Sequence, residues 1–111
     1  MSQLPNSAKA IVDIKKLEGY CLNPYHQRGK HKARVFRNAI GFIKKDAKLL
    51  QNKLLDAVIN NEAIEINADN FGTRYYIDFQ IVNGNKKAMI RSIWILKSEE
   101  KFPRLITCYV K

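Results

Sequence analysis

The chain has 111 residues, 46% apolar and 27% charged, a size and composition typical of one globular domain with a single core. Its formal net charge is +10 and its isoelectric point is near 9.8. This charge predicts a polyanionic partner, nucleic acid before an anionic membrane, with an inert basic surface as the alternative. No apolar run has the form of a signal peptide or a membrane span, so we expect a soluble, cytoplasmic protein. Cys21 and Cys108 lack the spacing of a metal or redox motif, which predicts reduced thiols.

The N-terminal part predicts a lead-in and then a short helix. Residues 1–9 contain chain-breaking residues and are expected to form a flexible lead-in to a single domain that spans residues 1–111. Asp13 is expected to cap a helix over residues 14–22, which Asn23-Pro24 ends.

The next stretch, residues 22–36, holds both histidines and no acidic residue. Its first half predicts a loop, and its second half predicts a helix from about Lys30 to Ile40 that Gly41 ends. A cationic loop that enters a helix start predicts an anion site, because free backbone N–H groups add to the side-chain charge. Lys32 lies in the row of this helix that faces the core. Its ammonium group therefore either follows its stem out to solvent or reaches across the sheet into a site.

The remaining sequence predicts one structural helix and a sheet. Asp46 is expected to cap a helix over residues 47–60. After Ala63 the apolar period changes to two, which predicts strands over residues 63–68, 74–82, 87–96 and 105–110. Asn83-Gly84-Asn85 predicts a hairpin between the second and third strands. The expected fold is α+β, with two to three N-terminal helices packed on a four-stranded antiparallel meander.

The hairpin parity predicts which side chains share a face of this sheet. A two-residue turn pairs residues whose numbers have an odd sum, for example Phe79 with Ala88 and Tyr76 with Arg91. Ile106, Cys108 and Val110 suit the core, so the opposite face is expected to carry Tyr76, Asp78, Arg91, Leu105, Thr107 and Tyr109. Burying Arg91 in a strand is costly. It therefore either pairs with Asp78 or serves as a fixed cation for a phosphate.

These residue types favour metal-independent RNA cleavage, in which the 2′-hydroxyl attacks its own phosphate and the enzyme supplies a base, an acid and cations. His26 and His31 are the candidates for proton transfer, with a solvated loop histidine as the alternative for each. The other candidates are Lys32 and Arg91 for phosphate binding, Thr107 and Tyr76 for orientation, and Arg28, Lys30, Arg34, Arg37 and Tyr109 for contact with the nucleic acid.

Other chemistries have weaker support in the sequence. The two histidines and Asp78 lack the spacing of a zinc site. There is no Walker loop or dinucleotide fingerprint, and neither cysteine has an evident histidine partner. We therefore expect no metal and no cofactor.

Four segments resemble a small bacterial domain family to which no function is assigned. The segments are LEGYCLNPYHQRGKHKARVFRNAIG, FGTRYYIDF, IRSIWIL and PRLITCYV. The family pattern of tyrosine, leucine–asparagine–proline, histidine, glycine, lysine–alanine and phenylalanine is matched by Tyr20, Leu22, Asn23, Pro24, His26, Gly29, Lys32, Ala33 and Phe36. The likeness covers the chain from Leu4 to Val110.

A more distant resemblance concerns the fold. The order of helices and strands is similar to that of the ribonuclease folds of the barnase, EndoU, colicin and RelE group. Toxin tips of bacterial competition systems belong to this group. The resemblance implies a toxin-like activity and an acidic immunity or antitoxin partner. It also implies an active face with roles that fit His31, Lys32, Arg91, Thr107 and Tyr109.

Two alternatives remain open at the level of sequence. A non-catalytic nucleic-acid-binding module would show salt-dependent binding without cleavage. A protein-interaction or phage-assembly domain would use its basic face to bind an acidic protein.

Overall fold

The structure is a computed structural model that describes residues 3–111. In this part of the chain, three helices precede a four-stranded sheet. The helices are α1 (Ile14–Lys16), α2 (Lys30–Ile40) and α3 (Ala47–Asn60), and the strands are β1 (Ile64–Asp69), β2 (Gly72–Asn83), β3 (Lys86–Lys97) and β4 (Arg104–Val110). The strand order is β1-β2-β3-β4 and every neighbouring pair is antiparallel. The predicted α+β meander is confirmed.

The ends of the helices follow from local hydrogen bonds. The Asp13 carboxylate accepts a hydrogen bond from the Lys15 N–H and caps α1, as predicted. The chain continues from α1 through a wide π turn, Leu17–Cys21. Gly41 ends α2 with a φ of 73°, as predicted. The expected cap of α3 is wrong, because the Asp46 carboxylate accepts from the Ile43 N–H instead.

The core lies between the helices and one face of the sheet. Phe36 and Ile40 of α2, Leu54 of α3 and Trp94 of β3 are fully buried there. Ser92 is the one polar side chain among the buried residues of the described chain. Its hydroxyl donates to the Ile77 carbonyl and accepts from the Trp94 indole, both at 2.8 Å, so its burial leaves no polar group unpaired.

The β2–β3 hairpin has the predicted parity but a different register. Phe79 pairs with Ile90, and Asp78 pairs with Arg91, so the predicted pairing of Phe79 with Ala88 is wrong by two residues. The cause is the turn, in which Gly84 is the first central residue and has a φ of 63°. The faces are unchanged, because a shift of two residues preserves the alternation.

A bulge between β3 and β4 changes the face of two residues in β4. Ile93 pairs with Thr107, whereas Trp94 pairs with Leu105, so Ile106 has no partner. Leu105 is buried with the core and Ile106 is only partly buried, which reverses the prediction for this pair. The bulge also allows the Thr107 hydroxyl to reach the helical layer.

The N-terminal segment packs on the free edge of β4. Ile11 forms a parallel bridge with Arg104, and Leu4 and Val12 are buried. Part of the predicted lead-in, from Leu4 onward, is therefore packed on the domain, while residues 1 and 2 lie outside the described range. Within residues 3–111, no helix has both the length and the apolar character needed to cross a bilayer.

Candidate functional site

The ammonium group of Lys32 lies at the centre of a polar cluster between α2 and β4. Its Nζ atom donates to Thr107 Oγ1 at 3.0 Å and to the Tyr20 hydroxyl at 3.3 Å. The same atom lies 4.8 Å from the centroid of the Tyr20 ring and 5.6 Å from that of Tyr109. We call these four residues, Tyr20, Lys32, Thr107 and Tyr109, the Lys32 cluster. The side chain therefore reaches toward the sheet, which is one of the two predicted alternatives.

No carboxylate neutralises Lys32 among residues 3–111. The ion pairs in this part of the chain use Arg74, Arg91, Arg104 and Lys111 as cations. Lys32 is partly buried, and its partners are two hydroxyl groups and two aromatic rings. A partly desolvated cation attracts an anion more strongly than an exposed lysine does, because the solvent screens it less.

Two local features bring the partners of Lys32 to it. The π turn after α1 places Tyr20 beside the start of α2, and the Tyr20 carbonyl lies against the Cα of Gly29. The bulge in β4 directs Thr107 toward the same point. A side chain at position 29 would separate the two segments, so the glycine is required for this close approach.

Cys21 adds an acidic thiol to the buried side of the cluster. Its Sγ lies 3.7 Å from Thr107 Oγ1. The pKa of Cys21 is lowered to about 6, chiefly by a hydrogen bond from the Cys108 thiol and further by Thr107 and the Lys32 ammonium, against the effect of burial. The pKa of Cys108 is raised well above its usual value, because it donates to Cys21 and is buried. Both cysteines are free and buried, so their thiols affect the electrostatics of the cluster rather than act as nucleophiles.

The two histidines lie in different environments. His26 Nδ1 accepts from the backbone N–H groups of Arg28 and Gly29 at 3.0 and 2.9 Å, and its ring packs edge-on against Tyr20 at 4.8 Å. Two of the backbone donors expected to be free for an anion are therefore occupied by the imidazole. His31 is exposed and lines a shallow cavity of about 330 Å³ with Lys32, Val35, Tyr109 and Val110.

Arg91 lies across from Tyr109 of the Lys32 cluster in the β3–β4 pairing, and its side chain forms an ion pair with Asp78. Its Nε and one terminal nitrogen donate to the two carboxylate oxygens at 2.8 Å each, and its guanidinium lies 4.0 Å from the centroid of the Tyr76 ring. Lys111 also donates to Asp78 at 3.1 Å. Arg91 lowers the pKa of Asp78, which keeps the carboxylate charged. Of the two predicted interpretations of Arg91, the geometry is that of the ion pair. Its role in phosphate binding, and that of Tyr76, stay predictions.

The remaining predicted cations lie on the exposed side of α2 and its loop. Lys30, Arg34 and Arg37 line a second cavity, and Arg28 is exposed in the loop before α2. The structure thus brings together Lys32, Thr107, Tyr109 and, at the rim, His31. His26 is connected to them through Tyr20.

Sequence reasoning assigned no role to Tyr20 or Cys21. Tyr20 was visible as the first residue of the family pattern, in which it precedes His26 by six positions. Its partnership with Lys32 depends on a π turn that no local sequence rule predicts. A cation that donates to two hydroxyl groups, next to an exposed imidazole, can bind a phosphate and exchange a proton with its ester.

The chain belongs to the family described as a domain of unknown function, DUF6883, whose model matches residues 3–111. This match confirms the resemblance to a family without an assigned function. No functionally curated protein matches the chain.

Among solved structures, the chain is similar to a chain in a contact-dependent growth inhibition toxin–immunity protein complex from Klebsiella pneumoniae 342. The two are 17% identical, and the similarity covers 95% of this chain and 96% of the other with a TM-score of 0.65. At this identity the similarity establishes a shared fold.

Proposed function

We propose that this domain binds RNA and cleaves it without a metal ion, at the Lys32 cluster. The observation that carries the proposal is the partly buried ammonium of Lys32, which has hydroxyl partners and no carboxylate partner in the described chain. The net charge of +10 supports a polyanionic substrate. The shared fold with a chain of a toxin–immunity complex supports a toxin-like role.

The proposed reaction is an internal transesterification. The 2′-hydroxyl of the RNA loses its proton to a base, and its oxygen attacks the adjacent phosphorus. The bond from phosphorus to the 5′-oxygen breaks, and the leaving oxygen takes up a proton. The products are a 2′,3′-cyclic phosphate and a free 5′-hydroxyl, so no covalent enzyme intermediate is needed.

In this proposal the residues of the site have different roles. Lys32 binds a non-bridging phosphate oxygen and stabilises the charge that develops on it. Thr107 and Tyr20 hold the ammonium in place and offer hydroxyl groups to the same phosphate. His31, exposed at the rim of the cavity, exchanges the proton. His26 positions Tyr20 through the edge-on contact of the two rings. Its Nδ1 is occupied by two backbone donors, which hold the imidazole in place.

The test is cleavage of transfer RNA and total RNA in the presence of EDTA. Lys32→Met keeps the apolar stem and removes the charge, and we expect it to lower the rate by roughly a hundredfold or more. His31→Gln should lower the rate by a similar factor. Lys87→Met, on the exposed hairpin, is the matched control and should cleave like the wild type.

Each variant must first show the circular dichroism spectrum and thermal midpoint of the wild type. Equal rates in the wild type and Lys32→Met would refute the assignment of the site. No cleavage by any of the proteins would refute the catalytic claim and favour a binding module.

A second candidate function is recognition of an acidic protein partner. The observation that favours it is the similarity to a chain of a toxin–immunity complex, together with the uncompensated positive charge of residues 22–36. Co-expression with neighbouring acidic open reading frames, followed by co-purification at moderate salt, tests it. A co-purified partner that abolishes RNA cleavage would support both RNA cleavage and recognition of an acidic protein.

A further inference from the structure

We propose that the cavity on the opposite flank of α2 from His31 is a base-binding site for single-stranded RNA, in which one nucleobase stacks on Tyr25. The cavity is about 580 Å³ and is lined by Leu22, Pro24, Tyr25, Lys30, Ala33, Arg34, Arg37, Ile43, Lys44 and Lys45. This volume falls within the range of about 300–1,000 Å³ that is usual for small-ligand sites. The inference rests on the proposed function, because it names the single-stranded form of the same substrate.

The charges around this cavity are all positive. Five of its lining residues are lysines or arginines and none is an aspartate or glutamate. None of the five takes part in an ion pair of the described chain. The floor is apolar, because Leu22 and Ala33 are buried beneath the cations. An apolar floor under a ring of cations suits a flat aromatic ligand that carries phosphates.

Tyr25 is the aromatic group that makes the site specific for a base. Its side chain is 92% exposed, the highest value among the large apolar and aromatic side chains that are exposed. Its backbone is held in a turn, since Asn23 Oδ1 accepts from the Tyr25 N–H at 2.9 Å. A base can stack on a ring that is this exposed without displacing protein contacts.

The two cavities lie on opposite flanks of α2. Lys30, Arg34 and Arg37 recur at spacings of three and four and share the face of the larger cavity. His31 and Val35 lie on the other flank, beside Lys32. An RNA strand with one base stacked on Tyr25 would therefore cross α2 over exposed cations before it reaches the Lys32 cluster. An acidic protein would need the charges but not the tyrosine or the apolar floor.

The test is fluorescence of a Tyr25→Trp variant, titrated with a short single-stranded RNA that carries 2′-O-methyl groups and cannot be cleaved. The natural Trp94 is fully buried, so it should contribute a constant background. We expect the RNA to quench the new indole and an abasic oligomer of the same length to quench it far less. Tyr25→Ala should weaken RNA binding roughly tenfold, within the range of one stacked base.

Two matched controls separate stacking from charge and from misfolding. Phe71→Ala removes another exposed aromatic ring, which is 73% exposed on the β1–β2 turn, and should leave affinity unchanged. Lys86→Gln/Lys87→Gln on the hairpin should weaken binding less than Lys44→Gln/Lys45→Gln in the cavity.

Three outcomes would overturn the inference. They are equal affinity for the abasic oligomer, no effect of Tyr25→Ala, or binding of polyglutamate as tight as that of RNA, which would assign the surface to an acidic protein. The inference and the proposed function can fail separately. Quenching without cleavage in any protein would support the base site and refute catalysis, whereas cleavage that is insensitive to Tyr25→Ala with unquenched indole would do the reverse.

Discussion

Cys21 shows how closely the Lys32 cluster is coupled at the scale of single residues. Its thiol is fully buried, yet its pKa is lowered to about 6, because Cys108, Thr107 and Lys32 all favour the thiolate. A thiolate there places a negative charge near the ammonium of Lys32. It would balance the cation in the absence of substrate.

The pH dependence of stability tests this coupling. Because the pKa of Cys21 is lower in the folded protein than its ordinary value of 9.0, the thiolate stabilises the fold fully above that value. The free energy of unfolding should therefore fall as the pH decreases from about 9 to about 6. The raised pKa of Cys108 has the opposite sign and lowers stability only above its ordinary value of 9.0. Urea unfolding under reducing conditions, at a series of pH values, measures this.

Two variants serve as controls for the thiol. Cys21→Ser should flatten the slope between these pH values, and Cys108→Ala should raise the pH at which the ultraviolet absorbance of the Cys21 thiolate appears. A wild-type thiol that titrates at its ordinary value would contradict the coupling.

The sequence predicted single residues well where one element determines their position. The row of α2 placed Lys32 between core and sheet, and the alternation of β3 placed Arg91 on the face opposite the core. Tyr20 and Cys21 were missed because their contacts with Lys32 and Thr107 join three distant segments. The face of Arg91 was predictable from the alternation of β3. Its position directly across from Asp78 was not, because it depends on the register that the turn sets.

At the scale of elements, the contact between the π turn and the start of α2 builds the site. Gly29 has an ordinary helical φ of −87°, so its role is close packing rather than backbone freedom. A Cβ at this position would meet the Tyr20 carbonyl and its ring. Anything larger than glycine must therefore push α2 away from Tyr20.

Gly29→Ala should destabilise the protein by about 1–3 kcal/mol, the usual cost of overpacking. It should also weaken the Tyr20–Lys32 contact and lower any cleavage rate. Gly19→Ala is the matched control, because nothing lies within 4 Å of its added methyl group, and it should be neutral or slightly stabilising. Urea unfolding measures the change in the free energy of unfolding for both variants. Equal losses of stability would mean that close packing at Gly29 is unimportant.

Element bounds could be predicted from periodicity, but details of pairing could not. The predicted bounds of α2 agree with the structure at both ends, because a loop glycine precedes it and Gly41 ends it. The register of the hairpin was wrong because Asn-Gly and Gly-Asn turns compete within Asn83-Gly84-Asn85. The bulge at Ile106 has no sequence signal of its own, and it decided the positions of Leu105 and Thr107.

At the scale of the whole molecule, the charge determines how a polyanion would bind. The net charge of +10 was evident from composition, and three exposed cations of α2, namely Lys30, Arg34 and Arg37, line one cavity. Each contact with a phosphate releases counterions, so affinity for RNA should fall linearly with the logarithm of salt concentration.

Replacing Lys30, Arg34 and Arg37 together by alanine should flatten this salt dependence. For single-stranded RNA we expect the slope of log affinity against log salt to decrease by roughly 2, at about 0.7 per lost phosphate contact. Fluorescence anisotropy with labelled, uncleavable RNA measures the slope. Lys86→Ala/Lys87→Ala should leave it close to that of the wild type. An unchanged slope in the triple variant would place the nucleic acid elsewhere on the surface.

In the proposed reaction, the Lys32 cluster promotes attack by the 2′-hydroxyl of RNA on its own phosphate. Its most direct test uses one oligonucleotide in two forms, all-RNA and with a single 2′-deoxy sugar at the cleaved position, incubated in EDTA. We expect that only the all-RNA form is cleaved, that the product ends in a 2′,3′-cyclic phosphate by mass spectrometry, and that Lys32→Met abolishes this product. Cleavage of the deoxy form, or a linear phosphate end that forms without a cyclic intermediate, would contradict it.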